Sequence, residues 1–156
     1  MITQDLQPYV STADQTPIQF LGIPTVLRAT GQTTNGAFGL IEHLAVRPGF
    51  ASPYHTHHSE DESFYLLEGE MAVCCGGKWM VAGAGAFVFL PRDVPHGFRI
   101  QGDAPARLLL LCSPGGFERF VVEMSEAHHA PMAEVAARYN IEVHGALPLE
   151  SMGAIS

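Results

Sequence analysis

The run Glu70-Met-Ala-Val-Cys-Cys75-Gly76-Gly77-Lys78-Trp-Met-Val-Ala82 leaves its stretch of chain little choice but two short antiparallel strands joined by a two-residue turn. Two consecutive glycines between β-prone segments supply the left-handed backbone that such a turn needs. The same rhythm extends to both sides. Residues 23–30 and 37–46 are rich in β-branched and apolar side chains and are separated by Gly31-Gln-Thr-Thr-Asn35-Gly36. Arg47-Pro48-Gly49 breaks the pattern, residues 86–90 resume it, and Pro91-Arg-Asp-Val-Pro95 turns the chain into His96-Gly-Phe98-Arg-Ile100. Residues 106–112 form the last strong strand. Short strands at regular spacing with tight turns predict an all-β sandwich or barrel rather than βαβ units.

The chain's 156 residues suit one domain with a real core. Residues 1–21, with Pro8, Pro17 and many small polar side chains, read as an N-terminal arm whose course a neighbour sets, and residues 22–114 as the barrel. Residues 115–156 read as a helical tail packing on it. Phe117, Phe120, Val121 and Met124 recur there at helical spacing, and Pro131 opens a second helical stretch with Met132, Val135, Ala136 and Tyr139. Such stripes predict packing faces of a cap, with the function left to the β core.

Acidic residues outnumber basic ones 16 to 8, and the basic ones are scattered singly, so no stripe exists to neutralise phosphates and nucleic acid is excluded as a partner. No apolar run is long enough to span a membrane, and Met-Ile-Thr-Gln-Asp lacks the features of an export signal; a cytoplasmic protein is expected. The adjacent Cys74 and Cys75, with Cys112, read as small buried hydrophobes rather than a disulfide framework. Charged residues make up only 15% of the chain, which predicts surface covered by a second copy, a homodimer.

Chemistry concentrates in residues 49–69. His55 and His57, two apart on a strand, point the same way and can share an ion. Glu62 follows at an odd interval, so a turn through His58-Ser59-Glu60-Asp61 must intervene before Glu62, Phe64 and Leu66 line one face of the next strand. His96, sharing its face with Phe98 and Ile100, completes a set of three imidazoles and a carboxylate suited to one divalent transition metal: nickel, iron, manganese, cobalt or zinc. That set leaves the ion with a net charge of about +1, favouring an anionic ligand. Phe64, Phe89 and Phe98 are the expected walls of a substrate pocket. His58 reads as a solvent-facing turn residue, Glu60 and Asp61 as solvated turn carboxylates, and His128 and His129 as exposed loop residues.

These residues resemble a known family. Gly49-x5-His55-x-His57-x4-Glu62-x6-Gly69 resembles the first cupin motif in every defining position. Gly85-x5-Pro91-x-Asp93-x2-His96 resembles the second, with Asp93 where the family usually has glycine and Ile100 where it often has asparagine. The resemblance implies a double-stranded β-helix, the jelly-roll or cupin barrel, with His55, His57, Glu62 and His96 on a metal inside its mouth. Pro91-Arg-Asp-Val-Pro-His96-Gly-Phe-Arg99 and Ser113-Pro-Gly-Gly-Phe117-Glu-Arg-Phe120, with the helical tail, resemble single-domain quercetin 2,3-dioxygenase-like cupins. In those enzymes the metal holds a flavonol's deprotonated 3-hydroxyl, a glutamate takes the proton, and dioxygen opens the heterocycle with release of carbon monoxide. The resemblance gives Glu62 that role and implies a flavonol or other enol or aromatic small molecule, with dioxygen, as substrates. Two readings stay open beside it: a metal-dependent isomerase or lyase, and a non-catalytic small-molecule-binding cupin.

Overall fold

The computed structural model describes residues 5–127 and 129–149. Its strands are β1 (Ile18–Phe20), β2 (Ile23–Ala29), β3 (Gly39–Val46), β4 (Tyr54–His57), β5 (Asp61–Glu68), β6 (Glu70–Cys75), β7 (Lys78–Gly83), β8 (Phe87–Leu90), β9 (His96–Gln101), β10 (Ala106–Ser113) and β11 (Ile141–Gly145). Helices α1 (Phe117–Glu126) and α2 (Met132–Ala137) precede β11. The strands pair antiparallel in two facing sheets, one of six strands in the order β1-β2-β3-β10-β5-β8 and one of five in the order β11-β4-β9-β6-β7. This is the jelly-roll expected from the sequence.

Alternation explains which face each strand buries. On β10, Ala106, Leu108, Leu110 and Cys112 are buried while the residues between them are partly exposed. On β5, Glu62, Phe64 and Leu66 point inward and Tyr65 outward. The β6–β7 hairpin turns at Gly76 and Gly77, whose φ values of 59° and 79° are both left-handed, as a type I′ turn requires. Gly69 has a different job. It carries the chain from one sheet to the other at φ 86°, and a Cβ there would meet the Ala106 Cα at 2.8 Å.

Two elements lie where the sequence suggested none. Residues 18–20, inside the expected arm, form β1 on the edge of the six-stranded sheet, and Phe20 is buried with its ring edge-on to Phe120 of α1. The rest of the described arm lies along its own chain: the Tyr9 hydroxyl donates to the Arg28 carbonyl at 2.7 Å, and the Arg28 guanidinium donates to Ser11 Oγ and the Thr12 carbonyl. The tail, expected to be helical, returns as β11 to pair with β4. The expected stripes do face inward, with Phe117, Phe120, Val121, Val135 and Ala136 buried. Cys74 and Cys112 are buried, Cys75 is half-buried, and all three are free thiols. No helix among the described residues is long and apolar enough to cross a membrane.

Candidate metal centre

Four side chains converge between the sheets. His55 and His57 project from β4, His96 from β9 directly opposite His55, and Glu62 from β5 in the other sheet. Their donor atoms all lie within 4.8 Å of one another. His55 Nε2 is 3.2 Å from His57 Nε2, and Glu62 Oε2 is 3.1 Å from His57 Nε2 and 2.8 Å from His96 Nε2. His57, His96 and Glu62 are buried, whereas His55 is half-buried at the open side.

The outer nitrogens fix the ring tautomers. Nδ1–H of His55 donates to the Pro53 carbonyl at 2.7 Å, that of His96 to the Val94 carbonyl at 3.1 Å, and that of His57 to Glu60 Oε1 at 2.7 Å. Each Nε2 therefore presents a lone pair toward the same point. Lone pairs 3.2 Å apart on one buried and one half-buried ring repel unless a proton or a cation lies between them, and three imidazoles with one carboxylate form a donor set that a divalent first-row ion matches. The residues fit a metal.

The electrostatics agree. Burial alone would lower the His57 pKa and raise that of Glu62, yet each holds the other in its charged form: His57, between Glu62 and Glu60, is drawn up to about 9 and Glu62 falls well below the usual carboxylate range. His55 is pushed down to about 4 by its burial. A divalent ion would take the place of the proton that His57 otherwise keeps.

Glu60 was expected in solvent and is instead only 5% exposed, because the turn after β4 folds it back under His57. Asp61 does lie near the surface, paired with Arg92. His58 points outward as expected, though its ring bridges Asp93 at 2.7 Å and Glu142 at 3.1 Å. His129 is exposed, and His128 lies outside the described residues.

His55 and Glu62 also line a cavity of about 70 Å³ whose walls are almost wholly apolar. Phe98 is one wall, as expected. Phe64 stands one layer behind it, buried and edge-on to the Phe98 ring at 5.3 Å. Phe89 is on the outside, 54% exposed, because Leu90 opposes Glu62 across the β5–β8 ladder and points inward, which turns its neighbour out. The remaining walls include Phe20, Ile23 and Phe50, with Phe117, Met132 and Ile141 from the tail. Phe117 also sets its ring edge-on against His57 at 5.0 Å. The sequence showed these tail residues only as helical stripes, so their place beside the metal donors went unread.

Residues 42–112 match the cupin domain family. A polyketide synthase, CurC, from Streptomyces cyaneus is 33% identical over 81 residues, 52% of this chain and 51% of that protein. Quercetin 2,3-dioxygenase from Bacillus subtilis is 29% identical over 90 residues, 56% of this chain and 26% of that protein. The chain thus spans about half the length of the first and about a quarter of the second. Among solved structures, an RmlC-like cupin from Shewanella frigidimarina superposes with a TM-score of 0.61 at 23% identity, covering 72% of this chain and 96% of that one.

Proposed function

This chain belongs to the cupin superfamily, and from that premise we propose that it is a metal-dependent dioxygenase acting on a compact enol or hydroxylated aromatic. The observation that carries the reading is the double position of Glu62: its Oε2 meets His57 and His96, and the residue also lines the apolar cavity. A hydroxyl brought to the centre from the cavity lies within reach of that carboxylate. When bound, a divalent ion here supplies a Lewis acid that holds an oxyanion and lowers the pKa of a coordinated hydroxyl. Glu62 then accepts the hydroxyl proton, His55, His57 and His96 keep their tautomers through their Nδ1–H bonds, and Phe98, Phe50 and Phe117 exclude water. Dioxygen is the oxidant; both of its atoms enter the product and the substrate supplies the electrons, so no reductant is required.

The relatives named for quercetin dioxygenation and polyketide synthesis support enol chemistry. The cavity favours small substrates. At about 70 Å³ it falls below the roughly 300 Å³ at which drug-sized pockets begin, so a flavonol requires the tail wall around Met132 to yield.

An oxygen electrode tests the reading on protein loaded in turn with iron, manganese, nickel and cobalt. Oxygen uptake with a flavonol, a β-diketone or a hydroxypyranone is expected with at least one metal, reduced by about 100-fold in Glu62→Gln. Turnover that persists without oxygen would assign the site to a Lewis-acid isomerase or lyase. Ligand binding without chemical change under every metal would make the protein a binding cupin.

A further inference from the structure

The cavity contains two polar side chains that the metal centre does not use, Ser52 and His43. The Ser52 hydroxyl is already engaged, donating to the Pro53 carbonyl and accepting from the Phe98 N–H, which leaves His43. His43 projects inward from β3, opposite Leu108 of β10, and is 3% exposed. It lines the same cavity as His55 and Glu62. Its ring is held on two sides: it stacks on Phe20, with centroids 6.0 Å apart and planes at 11°, and its Nδ1 lies 2.9 Å from Thr25 Oγ1. The Thr25 hydroxyl has one proton and donates it to the Ile23 carbonyl at 2.9 Å. Thr25 Oγ1 can therefore only accept from the ring, which places the His43 proton on Nδ1 and leaves Nε2 a bare acceptor. Among the described residues Nε2 has no hydrogen-bond partner. Burial also holds the ring neutral, with its pKa pushed down to about 4.

No sealed side-chain nitrogen or oxygen among the described residues lacks a hydrogen bond, so Nε2, which bonds to none of them, opens onto the free space of the cavity, where a ligand can reach it. The relay from Ile23 through Thr25 fixes the tautomer of a ring whose free nitrogen has only the cavity to serve. From this geometry we infer that His43 is the second polar anchor of the cavity, accepting a hydrogen bond from a hydroxyl or N–H of the molecule whose other end meets Glu62 and His55. The inference rests on the cavity being the substrate site. It narrows the substrate class to compact, largely apolar molecules that carry an ionisable enol or phenol at one end and a hydrogen-bond donor at the other. His43 is thus a specificity-determining residue.

Kojic acid and allomaltol form a matched pair of probes. Both are hydroxypyranones with the same metal-binding edge, and they differ only in a far-side hydroxymethyl that becomes methyl in allomaltol. Calorimetric titration of zinc-loaded protein is expected to show kojic acid binding about tenfold more tightly, the discrimination of one buried hydrogen bond. In His43→Leu the preference should vanish while zinc content and allomaltol affinity are retained, and His43→Gln, whose amide oxygen can still accept, should keep part of it. Equal affinities in the unaltered protein, or an undiminished preference in His43→Leu, would overturn the role of His43 and leave the cavity as a substrate site. Binding of neither pyranone would remove that underlying reading and this inference with it. If His43→Leu fails to fold, the kojic acid to allomaltol ratio in the unaltered protein decides by itself.

Discussion

Glu60 shows how far a single residue can depart from its reading in sequence. In the run His58-Ser-Glu60-Asp61-Glu62 three carboxylates look alike, yet Glu60 is buried under His57, Asp61 faces Arg92, and Glu62 points into the barrel. Parity along one strand does not settle this, because the turn resets the direction of each side chain. Its partner and burial give Glu60 a testable part: by accepting from Nδ1–H it keeps the His57 Nε2 lone pair on the centre. Glu60→Gln should weaken zinc or nickel binding by about 10- to 100-fold in a chelator competition, with the fold preserved by circular dichroism. Unchanged affinity would reduce Glu60 to a packing role. Asp93 gives a second test at this scale. It occupies a left-handed φ of 67° where the family's glycine would be unstrained, and its N–H donates to the His57 carbonyl at 2.8 Å. Aspartate tolerates this region better than most side chains. Asp93→Ala should lower stability to urea by about 1 kcal/mol and Asp93→Gly by less; equal losses in the two variants would show that the backbone angle is not the cause.

At the level of elements, strands with clear alternation or a turn signal beside them could be read from sequence, even the four-residue β4 and β8, and β1 and β11 could not. β5 and β10 each show inward residues at several successive alternate positions, whereas β1 has three residues in all and Ile141-Glu-Val143 offers a single repeat after a helical stretch. Asn140, left-handed at φ 59°, was the local signal that the helical turn ends there and a strand begins. β11 matters because of what it brings with it. His58, in the turn between β4 and β5, bridges Asp93 before β9 and Glu142 on β11, tying together the segments that flank the metal donors. Hydrogen bonds to Asp93 and then Glu142 raise its pKa above the ordinary 6.5. A raised folded-state pKa means that the clasp stabilises fully below 6.5 and is lost as pH rises through the folded value. The melting-temperature difference between the unaltered protein and His58→Ala should accordingly be larger near pH 5.5 than near pH 9. A difference that does not vary with pH would show that the ring contributes by packing alone.

Across the whole molecule, the candidate metal donors come from one stretch of the chain and the cavity walls from that stretch and from both of its flanks. His55, His57, Glu62 and His96 fall within the matched residues 42–112 and within two short motifs, which is why the candidate centre was legible; His43 lies in the same stretch but outside both motifs and was not. Phe20, Ile23, Phe117, Met132 and Ile141 lie outside that stretch, and only folding brings them to the same cavity. The group that could hold a metal thus lies in the matched stretch, while the cavity beside it is shaped jointly by that stretch and the segments flanking it. The centre also joins the two sheets, since β4 and β9 supply imidazoles from one and β5 the carboxylate from the other. An ion held by all four should oppose their separation. At 100 times its dissociation constant, a ligand that binds only the folded state adds about 2.7 kcal/mol; for a chain of this size that raises the melting temperature by roughly 5–10 °C. Differential scanning calorimetry with increasing zinc should show this rise, its reversal by a chelator, and its loss in His96→Ala. A melting temperature indifferent to metal, or a rise that survives His96→Ala, would mean that the ion binds somewhere other than between the sheets.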